Sequence, residues 1–599
     1  ITNTRRSTIG NSLLVNLLNQ KDTQQLSQLL ATTGKFSASE VKLLPKLLEV
    51  LVEPNQYQNT EFTSIKDWFY ELQWQFQPRE LTTIQSENEF YKPCGWLIFA
   101  DLGGVGESLA QLLRDRGHDC ILVYPGDIDR LRETDTWSIN PSSPADFERL
   151  LPEALETLNL PLQKIIHLWS IELGLVERLT IPNLEQSQVL SVGSVLHLLQ
   201  ALVKEENNQR NLKSKIESPQ LWLVTRGAVP VDNSLPAVAQ SPLWGMGKAI
   251  ALEHPELWGG MVDFAPQTSL DEVEQLIAEI ESQGEDHLAF RGESRYVARL
   301  VQKQLPQSTK VTLKPNSTYL ITGGLGALGL EVAEWMVQQG VRSLVLTGRR
   351  KPSSQAREAI TRMEQAGARV LVAQADVSKV WDVAKVLEEV ETAMPPVRGV
   401  IHAAGVLEDG ILLQQNWEQF ARVMAPKLKG AWNLHVLTQN LPLDFFVTFS
   451  SVASLLGSPS QGNYAAANAF TDALAHYRQA LGLPGLSINW GPWSDVGMAA
   501  SLSDRHQAQI AAQGLGTIAP AQGLQVLEQV LGQTNLAQIG VLPLNRSVFR
   551  QQLQGKQLPL LTQLICSNSE AARTATTPQH GFLQQLQAAT ASDRQQLLI

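Results

Sequence analysis

One pattern occurs twice in this chain, and it narrows the fold more than anything else does. A short apolar strand runs into a glycine turn, and the turn opens a helix. The first copy is Trp96-Leu97-Ile98-Phe99-Ala100 followed by Asp101-Leu102-Gly103-Gly104-Val105-Gly106-Glu107-Ser108-Leu109-Ala110. The second is Thr318-Tyr319-Leu320-Ile321 followed by Thr322-Gly323-Gly324-Leu325-Gly326-Ala327-Leu328-Gly329. The echo continues downstream. Ile165-Ile166-His167-Leu168-Trp169-Ser170 matches Val400-Ile401-His402-Ala403-Ala404-Gly405, and Leu223-Val224-Thr225-Arg226-Gly227 matches Val447-Thr448-Phe449-Ser450-Ser451. Gly259-Gly260-Met261-Val262-Asp263-Phe264 stands where Gly485-Leu486-Ser487-Ile488-Asn489-Trp490 stands. Strands alternating with helices predict an α/β fold with a parallel, doubly wound sheet. The repetition predicts two tandem Rossmann-like units, over residues 65–310 and 311–555.

The flanks read differently. Leu13, Leu14, Leu17 and Leu18, then Leu44, Leu47, Leu48 and Leu51, repeat at helical spacing. Residues 1–60 are therefore expected to form a small helical element that packs on a neighbour or dimerises. From Asp67 the aromatic and polar residues alternate, a strand pattern. Residues 556–580 read as a linker, and Phe582-Leu583 begins a further helix. The chain starts on Ile1 and stops inside an amphipathic pattern, as a piece of a longer polypeptide would.

Composition excludes several classes. No stretch of ~18 apolar residues predicts a membrane span. A net charge of −11 argues against nucleic acid, whose phosphates need a basic surface. Three scattered cysteines, Cys94, Cys120 and Cys566, suit neither a disulfide framework nor a metal site, and fit a cytoplasmic protein.

The second copy carries the chemistry. Gly323, Gly324, Gly326 and Gly329 allow a tight turn and a close backbone approach to a pyrophosphate at the helix N-terminus. The next strand ends in Thr347-Gly348-Arg349-Arg350. An acidic residue near this point would hold a ribose hydroxyl; a guanidinium matches a 2′-phosphate instead, so NADPH is expected. Asp376-Val377 should lie against the adenine. The small residues of His402-Ala403-Ala404-Gly405 leave room for the nicotinamide ribose. The first copy has Leu109 where the last glycine is expected, and no arginine after Val123-Tyr124-Pro125. It reads as a structural half without a cofactor.

Ketone reduction needs a proton donor that is acidic enough at neutral pH. A lysine ammonium close to a tyrosine lowers the phenol's pKa, and a serine hydroxyl can anchor the carbonyl. Ser451 ends a strand, Tyr464 follows thirteen residues later, and Asn468 lies one helical turn beyond Tyr464. Lys427 precedes Ser451 by 24 residues.

With these motifs in hand, residues 65–555 resemble the ketoreductase domains of modular polyketide synthases, split relatives of the short-chain dehydrogenase/reductases. The resemblance implies a tetrad of Lys427, Ser451, Tyr464 and Asn468. Tyr464 would be the acid, Ser451 the carbonyl anchor and Lys427 the acidifier, with Asn468 positioning Lys427 or a water. It implies that Pro492, in Asn489-Trp490-Gly491-Pro492-Trp493, lies beside the nicotinamide. Residues 496–513 would be a lid, with Met498 near the acyl arm. Leu407-Glu408-Asp409 stands where the family has Leu-Asp-Asp, and Leu456 stands where the opposite stereochemical class has Trp. Together they imply a B-type reductase giving the D-hydroxyl. The implied partners are an acyl carrier protein bearing a phosphopantetheine-bound β-ketoacyl chain, neighbouring synthase domains, and a second copy through the N-terminal helices. A structural pseudo-reductase and an α-carbon epimerase are the rival expectations.

Overall fold

A computed structural model of the chain describes residues 64–79, 92–126, 135–173, 179–209, 216–232, 234–282, 284–306, 313–494, 514–533, 535–553 and 558–566. The chain divides into two units, Ile1–Ile65 and Lys66–Ile599, and everything below concerns the second. The expected N-terminal helices, the lid with Met498 and the terminal helix lie outside the described residues.

The first half contributes nine strands: β1 Phe69–Phe76, β2 Gly95–Phe99, β3 Asp119–Pro125, β4 Thr136–Ile139, β5 Leu162–His167, β6 Ile216–Arg226, β7 Trp258–Phe264, β8 His287–Arg291 and β9 Ser294–Gln302. The second contributes seven: β10 Thr318–Thr322, β11 Ser343–Gly348, β12 Arg369–Gln374, β13 Val397–His402, β14 Phe445–Ser451, β15 Leu486–Trp490 and β16 Gln538–Val541. They form one sheet in the order β12-β11-β10-β13-β14-β15-β16-β1-β9-β8-β7-β6-β5-β2-β3-β4. Within each half the core strands run parallel. Antiparallel pairs sit at the junction, where β1 bonds β9 on one edge and β16 on the other, and beside it, where β8 bonds β9. The alternating stretch after Asp67 is thus the strand that joins the two Rossmann-like halves.

The central parallel strands are buried along most of their length, β2 and β10 at every residue, as helices on both faces require. The halves also share a core. Helix Pro242–Glu253 of the first crosses helix Gly462–Ala480 of the second. A Cβ at Gly245 would lie 2.2 Å from the Ala465 carbonyl oxygen, so only glycine permits this approach. Leu243, Met246, Phe470 and Leu474 belong to one apolar cluster around the crossing.

Two expectations need correction. Residues 558–566 were expected within a linker, but Pro559–Leu561 and Thr562–Cys566 are helical turns. Leu560, Leu561 and Leu564 bury against Tyr70 and Leu300, and that apolar surface holds the segment on the sheet. The β6–β14 match is off by one. His167 pairs with Leu223 and His402 with Thr448, so Arg226, not Gly227, corresponds to Ser451.

Candidate active site

The second glycine turn is built for close approach. Gly323 takes φ 71°, and a Cβ there would lie 2.8 Å from the Ala404 nitrogen. At Gly329 a Cβ would lie 2.4 Å from the Gly323 oxygen, so the helix Ala327–Gln338 packs directly on the turn. Gly324 has no room either, with the Ile321 oxygen 2.7 Å away. Gly326 caps the helix with no side-chain acceptor, and Gly326 and Ala327 are exposed. The backbone N–H groups of this first turn therefore face outward, where an anion is favoured. Leu325 packs over Gly348, and Leu328 stays half-buried.

The surrounding loops converge on this turn. Thr322 shares a 2.6 Å hydrogen bond with His402 Nδ1, and Ala403 N donates to the Thr322 carbonyl. Burial pushes His402 down to about 3, with the Lys427 charge adding to the effect, so the ring is neutral. Thr347 Oγ1 is buried without a partner at the end of β11. Arg349 and Arg350 are exposed beside it, and among the described residues no carboxylate pairs with either. Asp376 accepts from Ser378, and Val377 is held by Asn433 Nδ2 on its carbonyl and by close packing at Gly430. An orphaned hydroxyl, two free guanidinium groups and a glycine cradle together fit a dinucleotide with a phosphorylated ribose.

The tetrad side chains gather at the C-terminal end of β14. Ser450 and Ser451 fall on opposite faces of this strand. Ser450 turns inward to Asn489 Nδ2 at 3.0 Å, while Ser451 is half-buried and accepts from Ala453 N at 3.2 Å. That contact caps the short helix Val452–Leu456, whose last residue, Leu456, packs into an apolar cluster under β1. Tyr464 stands in the first turn of helix Gly462–Ala480, and Asn468 Nδ2 donates to the Tyr464 carbonyl at 2.8 Å. Lys427 comes from helix Trp417–Thr438, buried, its Nζ donating to the Phe449 carbonyl. Its chain passes Gly405 so closely that a Cβ there would lie 3.3 Å from Lys427 Cε. Thus the lysine bridges the nucleotide loop and the serine strand.

The electrostatics depart from expectation. The Tyr464 phenol sits above its ordinary value, chiefly through burial; hydrogen bonding from Asn468 and Ser451 pulls it back, and Asp409 pushes it up. Lys427 is not among the groups that lower it. The lysine itself falls to about 8 by burial, with Asp472 opposing. The ammonium donates to the Phe449 carbonyl.

The Leu407-Glu408-Asp409 loop divides its side chains. Glu408 turns outward into a two-pronged pair with Arg422, at 2.7 and 2.9 Å. Asp409 lies towards Tyr464, held by Gln461 Nε2 at 3.2 Å. Leu407 is partly exposed at the rim. Pro492 receives Ile518 N on its carbonyl at the end of β15. The sequence reading missed the polar network behind the serines. Asp472 accepts from Ser454 Oγ and Ser487 Oγ at 2.6 Å and from Asn489 Nδ2 at 2.8 Å. A charged residue set between Ala469-Phe470 and Ala473-Leu474-Ala475 was the available signal.

With that geometry in view, comparison with known proteins is direct. Residues 317–495 match the family model described as KR domain, and residues 168–300 match that of the Rossmann fold domain of the polyketide synthase extender module SpnB. The chain carries a ketoreductase domain of the polyketide-synthase kind. A solved structure of A-type ketoreductases from a modular polyketide synthase superposes on 85% of this chain and 99% of its own, at TM-score 0.69 and 26% identity. The first ketoreductase of the tylosin synthase covers 86% of this chain and 100% of its own, at TM-score 0.67 and 28% identity. A phenolphthiocerol/phthiocerol polyketide synthase of Mycobacterium tuberculosis is 38% identical over 321 residues, 52% of this chain. A 6-methylsalicylic acid synthase of Arthrobotrys oligospora is 38% identical over 330 residues, also 52% of this chain. The ketoreductase chain spans 17% and 18% of the length of these two relatives. Among its described residues no helix is long and apolar enough to cross a membrane, and no cluster is placed to hold a metal.

Proposed function

We propose that this ketoreductase domain uses NADPH to reduce the β-keto group of an acyl chain held on an acyl carrier protein. The observation that carries the reading is the approach of Ser451 to the Tyr464 phenol, with Lys427 bonded to the Phe449 carbonyl on the same strand, beside an open glycine cradle. Gly323, Gly324, Gly326 and Gly329 would hold the pyrophosphate, and Arg349 and Arg350 the 2′-phosphate. NADPH supplies the hydride when bound. Ser451 donates a hydrogen bond to the substrate carbonyl oxygen, and Tyr464 donates the proton that the oxygen takes up. The Lys427 ammonium then stabilises the phenolate left behind. Asn468 ties the carbonyl of Tyr464's own turn and keeps the phenol in register.

The Glu408 departure leaves a B-type assignment standing. Its side chain points away to Arg422, so the residue facing Tyr464 is the retained Asp409. Leu456 stands where the opposite class has an indole. Neighbouring synthase domains, a second copy through residues 1–60 and a cytoplasmic setting complete the proposal.

The test is NADPH consumption with a β-keto thioester, NADH measured alongside, and chiral chromatography of the alcohol. Tyr464→Phe should lose about 10²- to 10⁴-fold in kcat while NADPH binding persists. Wild-type turnover in that variant overturns the acid assignment.

A further inference from the structure

The connection from Ser451 to Tyr464 is gripped by the half that carries no tetrad. Helix Pro242–Glu253 lays two charged residues along it. Lys248 is buried, and its Nζ donates to the Ser454 carbonyl at 2.7 Å. Ser454 lies in the short helix Val452–Leu456 that Ser451 caps. The cation thus fills one of the carbonyls left unpaired at a helix C-terminal end. Gly457, at φ 75°, ends that helix against the same neighbour, since a Cβ there would lie 2.6 Å from the Lys248 oxygen.

One turn further on, Glu253 holds two loops. Its Oε1 accepts from Ser460 N at 2.8 Å and its Oε2 from Leu412 N at 2.7 Å. Among the described residues Ser460 is the one non-glycine with positive φ, at 65°. That conformation is strained for a residue with a Cβ. It persists here with both backbone polar groups occupied, because the Ser460 carbonyl also accepts from Gly410 N at 2.8 Å. Gly410 directly follows Asp409, so Glu253 ties the stereocontrol loop to the segment that delivers Tyr464.

We propose that Lys248 and Glu253 are positioning residues for the reduction. They fix the span 452–461 from across the molecule, and with it the separation of the Ser451 hydroxyl from the Tyr464 phenol. The proposal rests on the ketoreductase reading. The charges facing Lys248 are Asp472 on the tyrosine helix and Asp286 before β8. Asp472 also faces Lys427 on helix Trp417–Thr438, so the buried carboxyl lies between the two lysines. The nucleotide cradle is built from other segments, which separates the clamp from cofactor binding.

Lys248→Met and Glu253→Ala in the full chain test it, by kinetics and by hydrogen–deuterium exchange of residues 452–461. We expect kcat to fall about ten- to a hundredfold, as small misplacements of reacting groups do. NADPH affinity should stay within about twofold, and exchange over 452–461 should rise about tenfold as local opening becomes easier. Lys248→Arg, which keeps a donor, should recover most of kcat. Unchanged kcat in both variants overturns the clamp, as does a parallel fall of kcat and NADPH affinity. Should Glu253→Ala fail to fold, Glu253→Gln keeps the volume and one acceptor. A selective loss of kcat in it supports the clamp, and no loss overturns it. If the wild type reduces no β-keto thioester, the ketoreductase reading fails by itself. Exchange at 452–461 then still decides whether the clamp exists.

Discussion

The two glycine turns began from one pattern and now do opposite things. In the second half the first turn of helix Ala327–Gln338 is open, with no side chain on its N–H groups. In the first half the helix Val105–Asp115 is already filled by the chain's own carboxylates. Asp101 accepts from Val105 N and Gly106 N at 3.1 and 2.7 Å. Glu172 accepts from Leu102 N and Gly103 N. These oxygens occupy the place a pyrophosphate would take. The floor differs as well. Where the second half has Ala403 and Ala404, the first has Leu168 and Trp169. Trp169 is fully buried between Phe99 and Phe147, and its indole donates to the Val123 carbonyl at 3.1 Å. Val123 matches Thr347 in strand register, and Thr347 Oγ1 is the orphaned hydroxyl of the other half. A cofactor cleft can therefore be retired by closing it with a carboxylate and an aromatic ring while every strand stays in place.

If Trp169 has become core, its loss should act on stability alone. Trp169→Ala should cost about 3–5 kcal/mol in denaturant unfolding, the range for large aromatic truncations. It should leave NADPH affinity unchanged, since Asp101 and Glu172 still fill the turn. A variant of wild-type stability would mean that the first cleft is not closed by this ring. The converse change is Ala404→Trp, which copies the closure into the second half. Roughly a hundredfold weaker NADPH binding is expected, equal to about 2.7 kcal/mol, with the fold kept. Titration of NADPH fluorescence measures it, and unaltered affinity would break the correspondence between the halves.

The contrast also explains what could be read in advance. The glycine turn and the pairing of Tyr464 with Asn468 were legible because they lie in local spacing. Gly323 to Gly329 is one turn, and Tyr464 and Asn468 share a helix face. The first copy misled by counting. Strand register matches Phe99 to Thr322, so Gly106, seven residues on, matches Gly329, and Leu109 lies three residues beyond the close helix contact. A Cβ at Gly106 would lie 2.6 Å from Ala100 Cβ. Lys248 and Glu253 were hidden for another reason. Their partners, Ser454 and Ser460, lie more than 200 positions away, and helix Pro242–Glu253 looks like an ordinary core helix. The hydrogen bond from Lys427 to the Phe449 carbonyl was equally out of reach, because spacing does not tell which acceptor a long side chain finds.

The buried lysines sharpen the comparison through pH. Lys427 falls to about 8, and the ammonium form is the one reduction needs. As pH rises through about 8 that charge is lost, so kcat should fall about tenfold per unit above it. Tyr464 sits above its ordinary value of about 10 and stays protonated across this range, so the limb belongs to the lysine. His402, neutral down to about 3, adds no acid limb. Lys427→Arg keeps a fixed charge and should abolish the alkaline limb at reduced kcat. A limb surviving near the same pH would transfer it to another group.

The smallest effect tests the carboxylate that fills the first glycine turn. Asp101→Asn keeps one acceptor oxygen but removes the charge at the start of helix Val105–Asp115. Charge at a helix N-terminus contributes about 1 kcal/mol in such partly buried positions, and Asp101 is buried. The expected loss in denaturant midpoint is of that order, with kcat and NADPH affinity unaltered. Raising salt should not mimic the change, because a buried pair is screened far less than an exposed one. A variant as stable as the wild type would show that Glu172 alone satisfies the turn, and the first half would then keep one of its two closures in reserve.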